Sequence, residues 1–386
     1  MAMNDAAPIY LDNGATTRTD PAVVEAMLPY FAEDFGNASS LHRLGVRSRR
    51  ALDAARQTIA GSIGATDREI CFTSGGTESD TLAIRGAAEA TRRRHMVMAA
   101  TEHPAVLAQQ EWLERRGFSV TVLVVDPSGR VTPEALLEAT NADTALVSIM
   151  HANNEIGTLQ DIDLLGPALK AHRPDALFFV DAVQSYTKAP IHVGRACIDL
   201  LSLSSHKIHG PKGVGALYIR DGLRLAPQVA GGSQEFGTRP GTENIPGIVG
   251  FAEAARLALA TAPEDRERMR SLRDHIITSC EAELAPVEVN GDRETRLCNN
   301  ANLNFPGARA EILLHMLEAK GLLVSSGAAC HAGARKLSHV LQAIGLHEDR
   351  GTLRITLCRH TTPAEVDRAI TILREVVPEA RSVGGA

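Results

Sequence analysis

Leu177-Phe178-Phe179-Val180-Asp181 is an apolar run that ends in a carboxylate, and Leu200-Leu201-Ser202-Leu203-Ser204-Ser205-His206-Lys207 is a second run that ends in an amine. Neither run alternates between apolar and polar residues, which is typical of strands buried on both faces. Similar runs, separated by helical patterns, predict strands at 69–73, 95–99, 119–124, 145–149, 176–180, 200–204 and 215–219. Strands that alternate with helices predict an α/β fold with a mostly parallel seven-stranded sheet.

The chain has 386 residues, which is enough for two domains. A helical segment with a charged centre follows the predicted sheet at about 247–284, and we expect it to bridge the two domains. Beyond Pro286 the pattern restarts with short strands and helices. We therefore predict a large α/β domain over residues 14–255 and a smaller α+β domain formed by residues 1–13 and 256–386.

Composition limits the class of protein. Hydrophobic residues make up 44% of the chain and charged residues 22%, the balance of a soluble globular protein. The formal net charge of -6 gives no electrostatic reason to expect direct binding of nucleic acid. The sequence contains neither an apolar stretch as long as a membrane span nor the pattern of a signal peptide. We therefore expect a cytoplasmic protein that does not bind membranes.

The ends of the two apolar runs carry the residue types that pyridoxal 5'-phosphate (PLP) requires. A PLP enzyme needs a lysine that bonds to the cofactor and an acid that keeps the pyridine nitrogen protonated. Asp181 and Lys207 each end a predicted strand, where open α/β sheets bind ligands. Gln184 lies three residues beyond Asp181 and could reach the phenolic oxygen of PLP. A lysine at a strand end is usually only a solvated charge, and its combination with Asp181 is what favours a cofactor site.

A phosphate site is indicated by Thr73-Ser74-Gly75-Gly76-Thr77-Glu78, which follows a predicted strand and opens a helix. Glycines let the backbone approach a phosphate, and the helix N-terminus offers free N–H groups and a partial positive charge. An ordinary helix cap explains this segment equally well. Ser204 and His206, beside Lys207, are further candidate phosphate donors.

One cysteine of the six differs from the others in its surroundings. Cys330 lies in Ser325-Ser326-Gly327-Ala328-Ala329-Cys330-His331-Ala332-Gly333, a small-residue segment typical of an exposed loop. A thiol on such a loop could reach a buried cofactor, and His331 could favour its nucleophilic thiolate form. An incidental loop cysteine is the alternative. The other five cysteines are interpreted as structural.

The ordered motifs resemble the cysteine desulfurases of the NifS/IscS type, which are fold-type I PLP enzymes of the class V aminotransferase family. The resemblance covers nearly the whole chain and rests on many segments at family spacing rather than on one motif. These segments are 10–13, 36–42, 72–79, 101–106, 151–157, 181–184, 204–207, 231–235, 239–244, 324–334 and 359–362.

The resemblance implies a role for each matching residue. It implies PLP as the cofactor, bound by Gly76, Thr77, His103, Asn154, Asp181, Gln184, Ser204, His206, Lys207 and Thr242. Lys207 matches the lysine that bonds to PLP and moves protons, and His103 matches the imidazole stacked on the pyridine ring. Thr242 matches a phosphate ligand that the family supplies from a second subunit, which implies a homodimer. Asn154 and Arg354 match the clamp on the substrate carboxylate.

Cys330 matches the sulfur-accepting nucleophile of the family. The implied reaction converts L-cysteine to L-alanine and leaves a persulfide on Cys330, from which sulfur passes to an acceptor protein such as an iron–sulfur scaffold. Shared ligation of an iron–sulfur cluster by Cys330 and a scaffold is a further family implication. The pathway that uses the sulfur stays open at this point.

Two departures from the family pattern and a second resemblance leave alternatives. Gly14 stands where the family commonly has Asn, and Ala328 stands where it commonly has Ser. The segment 329–331 and the segment 239–241 also resemble selenocysteine lyases. A selenocysteine lyase, a class V aminotransferase and a PLP-binding assembly partner without turnover therefore remain as other possibilities.

Overall fold

The structure is a computed structural model, and it describes residues 7–326, 337–348 and 350–384. The strands are β1 (Ile9–Tyr10), β2 (Ile70–Thr73), β3 (His95–Ala99), β4 (Ser119–Leu123), β5 (Thr144–Ser148), β6 (Leu177–Asp181), β7 (Leu200–Ser204), β8 (Gly215–Ile219), β9 (Glu288–Val289), β10 (Asn300–Asn304), β11 (Leu322–Leu323) and β12 (Leu353–Thr356). The helices are α1 (Pro21–Met27), α2 (Pro29–Ala32), α3 (Arg43–Ser62), α4 (Gly76–Ala90), α5 (Pro104–Leu107), α6 (Gln109–Glu114), α7 (Pro133–Glu138), α8 (Ile162–His172), α9 (Ile245–Ala260), α10 (Ala262–Glu283), α11 (Ala310–Ala319), α12 (His339–Ala343) and α13 (Pro363–Gly384).

Seven strands form one large sheet in the order β2-β8-β7-β6-β5-β3-β4. Strands β4, β3, β5, β6 and β7 run parallel to one another, whereas β8 runs antiparallel to both β2 and β7. The prediction of an α/β fold with a mostly parallel seven-stranded sheet is confirmed. In the register of β6 and β7, Asp181 lies opposite Ser202, so the carboxyl ends of these two strands meet at one edge.

The large sheet is buried on both faces. Phe72, Val97 and Phe178 pack in one hydrophobic cluster with side chains of α3, α8 and α9. Their chain neighbours Met96 and Phe179 point the other way and pack against α4 and α6. Because successive side chains of a strand alternate between faces, continuous apolar runs are what this two-sided burial requires.

A second group of elements lies in the last third of the described chain. Strands β12, β10 and β9 form an antiparallel sheet, and β1 pairs in parallel with β11. Side chains of β10, β12, α10, α11 and α13 form a separate hydrophobic cluster. The N-terminal strand thus joins the C-terminal elements, as the predicted grouping of residues 1–13 with 256–386 supposes. The domain boundaries themselves stay a prediction.

Several predicted element bounds were shifted or wrong. The bridging helix is in fact two helices, α9 and α10, which meet at an angle of 74°. The helical segment between β3 and β4 is likewise divided, into α5 and α6. Among the described residues no single helix is long and apolar enough to cross a membrane. The bent pair α9–α10 reaches that length and apolar composition only when its two helices are counted together.

Candidate active site

Lys207 lies in the turn that directly follows β7. Its Nζ donates hydrogen bonds to the carbonyl oxygens of Gly14 at 2.6 Å and Ala15 at 2.7 Å. Burial lowers the pKa of Lys207 to about 8, and the nearby positive charges of Arg354 and Lys188 act in the same direction. The amine therefore loses its proton far more readily than an exposed lysine does, as a lysine that bonds to an aldehyde must.

Asp181 is the last residue of β6 and is almost fully buried. Its Oδ1 accepts a hydrogen bond from the backbone N–H of Val183 at 2.8 Å. Burial raises the pKa of this carboxyl, while the positive charge that His103 or Lys207 carries when protonated opposes that rise. These opposing effects show that the three groups lie within electrostatic reach of one another. The structure therefore brings together the lysine, acid and imidazole that the sequence indicated.

Gly14 is the point where three side chains meet. Its carbonyl oxygen accepts from Lys207 Nζ and also from Gln184 Nε2, the latter at 2.9 Å. A Cβ at position 14 would lie 2.9 Å from Thr356 Oγ1 and 3.4 Å from Arg354 Nε. A side chain here would require Thr356 to shift and would crowd Arg354, so close packing favours glycine. Sequence reasoning noted Gly14 only as a departure from the family and did not place it in the site.

Arg354 lies on β12 and is 3% exposed. Its Nη2 forms an ion pair with Asp12 Oδ1 at 2.7 Å, and its Nη1 donates to the carbonyl oxygen of Asn154 at 3.2 Å. The Nε atom is buried without a hydrogen-bond partner among the described residues. The predicted clamp residues Arg354 and Asn154 are therefore adjacent, and the guanidinium keeps an unused donor.

The predicted phosphate site forms around the N-terminus of α4. A Cβ at Gly76 would lie 3.8 Å from Ser204 Cβ, so the first residue of α4 is next to the end of β7. Ser204 Oγ is buried and has no hydrogen-bond partner within the described part of the chain. Thr77 is exposed on the first turn of the helix. A buried hydroxyl in need of a partner, placed beside free helical N–H groups, fits a phosphate.

His206 and His103 flank the lysine as neutral imidazoles. Burial lowers the pKa of His206 to about 4, reinforced by the charge of Lys207, and its Nδ1 lies 3.1 Å from Thr16 Oγ1. His103 caps α5, because its Nδ1 accepts from the backbone N–H of Ala105 at 3.1 Å. Burial also lowers the pKa of His103. This cap fixes the orientation of the ring that the resemblance places against the cofactor.

Two buried carboxyl groups near Asp181 were missed by sequence reasoning. Asp80 on α4 and Glu102, which precedes His103, are both fully buried. Burial, together with the charge of Asp181, raises the pKa of Glu102 to about 8. The pKa of Asp80 is raised for the same two reasons. In the sequence, nothing distinguishes these two acids except that they lie beside residues of the motifs.

The raised pKa of Glu102 predicts a pH dependence of stability. Because the folded pKa lies above that of the unfolded chain, the protonated acid is compatible with folding at low pH, and stability is lost as pH rises toward about 8. The Glu102→Gln variant lacks this loss. Urea denaturation should therefore show that the variant gains stability relative to wild type between pH 5 and pH 8. The exposed control Glu111→Gln should show no such difference, and an equal effect of Glu102→Gln at both pH values would contradict the assignment.

Two predicted site residues are not placed in this cluster. Thr242 is exposed on the surface of the chain. Cys330 lies outside the described residues, so its prediction as nucleophile and cluster ligand is not tested by the geometry. Across residues 7–326, 337–348 and 350–384 no group of three His, Cys, Asp or Glu side chains could hold a metal ion.

The five cysteines of the described ranges are free thiols: Cys71, Cys197, Cys280, Cys298 and Cys358. Burial raises the pKa of Cys280 to about 12 and also raises the pKa values of Cys71 and Cys298. These three thiols therefore stay protonated and are poor nucleophiles. Their burial agrees with the interpretation that they are structural.

Comparison with known proteins identifies the family. The profile of the family described as Aminotransferase class-V matches residues 9–369. The chain belongs to this family. Within the class-V family it is similar to the cysteine desulfurase IscS of Methanosarcina thermophila, with 45% identity over 97% of this chain and 93% of the relative. At that identity and coverage the chain is a member of the cysteine desulfurases, and the resemblance found in the sequence is confirmed.

Solved structures agree with this assignment to the class-V family. A structure titled NifS-like protein has a TM-score of 0.91 and 36% identity, covering 96% of this chain and 100% of the other. A second, titled SspA in complex with cysteine, has a TM-score of 0.80 and 35% identity, covering 92% of this chain and 99% of the other. The fold-type I architecture is therefore confirmed.

Proposed function

We propose that this enzyme is a PLP-dependent cysteine desulfurase, which converts L-cysteine to L-alanine and places the sulfur on Cys330. The observation that carries the proposal is the convergence on Gly14. Lys207 and Gln184 both donate to its carbonyl oxygen, and a Cβ built at this position would lie 3.4 Å from Arg354 Nε. Relatives named cysteine desulfurase, and a similar protein whose structure was solved with cysteine, support the choice of substrate.

The residues at the site fit PLP. Ser204 Oγ, the first turn of α4 and His206 would hold the phosphate, and Asp181 would face the pyridine nitrogen at the opposite end. Gln184 would reach the phenolic oxygen, and His103 would lie against the ring. When bound, PLP supplies an electron-withdrawing ring that makes the substrate's Cα–H acidic.

Lys207 would move the proton at the substrate's Cα, and Arg354 would bind the substrate's carboxylate. The Lys207 amine, with a pKa of about 8, can take the proton from the substrate's Cα and return it. Arg354 would bind the substrate carboxylate through donors now directed at Asp12 and the Asn154 carbonyl. The incoming carboxylate would replace Asp12 as the partner of the guanidinium.

Cys330 would accept the sulfur. Its thiolate attacks the substrate sulfur, a new S–S bond forms, and the carbon–sulfur bond breaks with its electron pair left on the carbon side, where Cβ then takes a proton. The products are L-alanine and a Cys330 persulfide, which balances all atoms without an added oxidant. The persulfide sulfur then passes to an acceptor protein such as an iron–sulfur scaffold, where Cys330 is also a candidate cluster ligand. We place this reaction in the cytoplasm.

A homodimer would complete the phosphate site. Thr242 is exposed, and the segment that precedes it also exposes the apolar side chain of Phe236, at 60%. An exposed phosphate-binding hydroxyl next to an exposed aromatic ring supports contact with a second copy. In this arrangement each subunit would supply Thr242 to the phosphate of the other.

Turnover of L-cysteine with sulfur mapping tests the proposed function. Wild-type protein with added PLP and a thiol reductant should form alanine, and mass spectrometry without reductant should find a persulfide on Cys330. L-Selenocysteine in parallel distinguishes a selenocysteine lyase, and keto-acid formation distinguishes an aminotransferase. Alanine formation that persists in Cys330→Ala, or sulfur on another cysteine, would contradict the assigned nucleophile.

A further inference from the structure

Glu78 is a carboxylate inside the predicted phosphate site. It occupies the third position of α4, and its Oε2 accepts from the backbone N–H of Ser74 at 2.7 Å. This contact takes one N–H of the loop and leaves those of Gly76 and Thr77, which begin the helix and have no helical acceptor. Glu78 therefore determines which N–H groups remain free for a phosphate. Its carboxylate also places a negative charge close to that phosphate.

Arg239 neutralises that charge. Its Nε donates to Glu78 Oε1 at 2.8 Å, and its Nη2 lies 3.4 Å from Glu78 Oε2. Although burial raises the pKa of Glu78, the hydrogen bonds from Arg239 and Ser74 outweigh it and lower the pKa overall. Glu78 is thus fully ionised and needs its cation, since two neighbouring anions would otherwise repel each other.

The segment that carries Arg239 is itself fixed to the strand before the phosphate loop. Glu235 accepts two hydrogen bonds from Arg56, at 2.6 and 2.7 Å, and one from the N–H of Phe72 at 2.7 Å. Glu235 and Phe236 have φ angles of 47° and 58°, a left-handed backbone that only strong local contacts maintain. Phe72 lies one residue before the end of β2, so Arg239 is held at a defined distance from the loop.

We propose that Arg239 is a positioning residue for the cofactor's phosphate, acting by neutralising Glu78 and fixing the 74–78 loop. The inference rests on the proposed function, because the phosphate is that of PLP. Arg239 lies outside the set of residues assigned to the cofactor from the sequence. The proposal predicts that loss of Arg239 weakens the binding of a ligand only when that ligand carries the phosphate. Loss of a merely structural residue would not make this distinction.

Equilibrium binding of PLP and of pyridoxal, which lacks the phosphate, tests the proposal. Arg239→Gln should raise the Kd for PLP about tenfold, the size of one lost charge-assisted contact, and leave the Kd for pyridoxal within about twofold. Arg256→Gln is the matched control, because Arg256 also pairs with a glutamate but on the exposed side of α9. This control should change neither Kd. Arg239→Lys, which keeps the charge, should give an intermediate value and replaces Arg239→Gln if that variant folds poorly.

The double variant Glu78→Gln/Arg239→Gln sharpens the test. Removing both charges ends the repulsion, so PLP affinity should return to within about threefold of wild type. Equal loss of PLP and pyridoxal affinity in Arg239→Gln, or no recovery in the double variant, would overturn the proposal. If wild-type protein bound neither ligand, the proposed function would fail instead, so the two failures are distinguishable.

Discussion

Replacement of Lys207 by alanine is expected to lower kcat for alanine formation from L-cysteine by about 10³-fold or more, the range of a lost general acid–base group. The cause is twofold. The variant lacks the amine that bonds to the cofactor, and it lacks the group that moves the proton at the substrate's Cα. Steady-state assays with saturating PLP measure the effect, and the visible absorption of the bound cofactor should change with it.

Lys212 provides the matched control for this experiment. It lies five residues further along the same loop, and its Nζ donates to the carbonyl oxygen of Thr17 at 2.9 Å. Lys212→Ala therefore removes a nearby amine with a similar backbone contact but should keep kcat within about threefold of wild type. Comparable losses in the two variants would show that the loop geometry, rather than the Lys207 amine, is what turnover requires.

Arg56→Met is expected to lower the free energy of unfolding by about 3–5 kcal/mol, because it leaves the buried Glu235 carboxylate without its cation. The side chains of Arg56 and Glu235 are only 5% and 2% exposed, respectively. The Arg56 guanidinium also lies between the rings of Phe72 and Phe236, at 4.8 and 5.2 Å from their centres. Urea denaturation of the apoprotein at pH 7 measures the loss.

Two further variants distinguish charge burial from simple loss of packing. Arg47→Met, on the same helix, removes a pair with Asp34 whose arginine side chain is 61% exposed, and should cost about 1 kcal/mol or less. Arg56→Met/Glu235→Gln removes the unpaired charge and should be more stable than Arg56→Met alone. If the double variant were no more stable, the cost of Arg56→Met would have to come from packing.

The large sheet could be predicted from the sequence because its strands are buried on both faces. Continuous apolar runs, as at 200–204, identify such strands without any knowledge of their neighbours. Their exact ends could not be predicted, since pairing between strands decides them. Strand β5, for example, begins at Thr144, whereas the apolar run suggested 145. The bend between α9 and α10 was also missed, because Thr261 and Pro263 are compatible with either a continuous or a broken helix.

The site could be predicted in part from the sequence. The contacts that were not predicted all depend on residues far apart in the chain or on surroundings known only from the fold. Lys207 and Asp181 follow strands that are neighbours in the sheet, so topology alone brings them together. The Gly14 contact and the Arg354–Asp12 pair join residues 193 and 342 positions apart. Contacts of that separation leave no local pattern in the sequence. Buried acids such as Glu102 are likewise recognisable only once their surroundings are known.

Chemical trapping of the bound cofactor tests the central claim most directly. Borohydride treatment of the PLP-loaded protein fixes the cofactor to the lysine that holds it, and peptide mass mapping then identifies that lysine. The cofactor mass is predicted on the peptide that contains Lys207. A cofactor found on Lys188 or Lys212, or the absence of any labelled peptide from protein that turns over L-cysteine, would contradict the assignment.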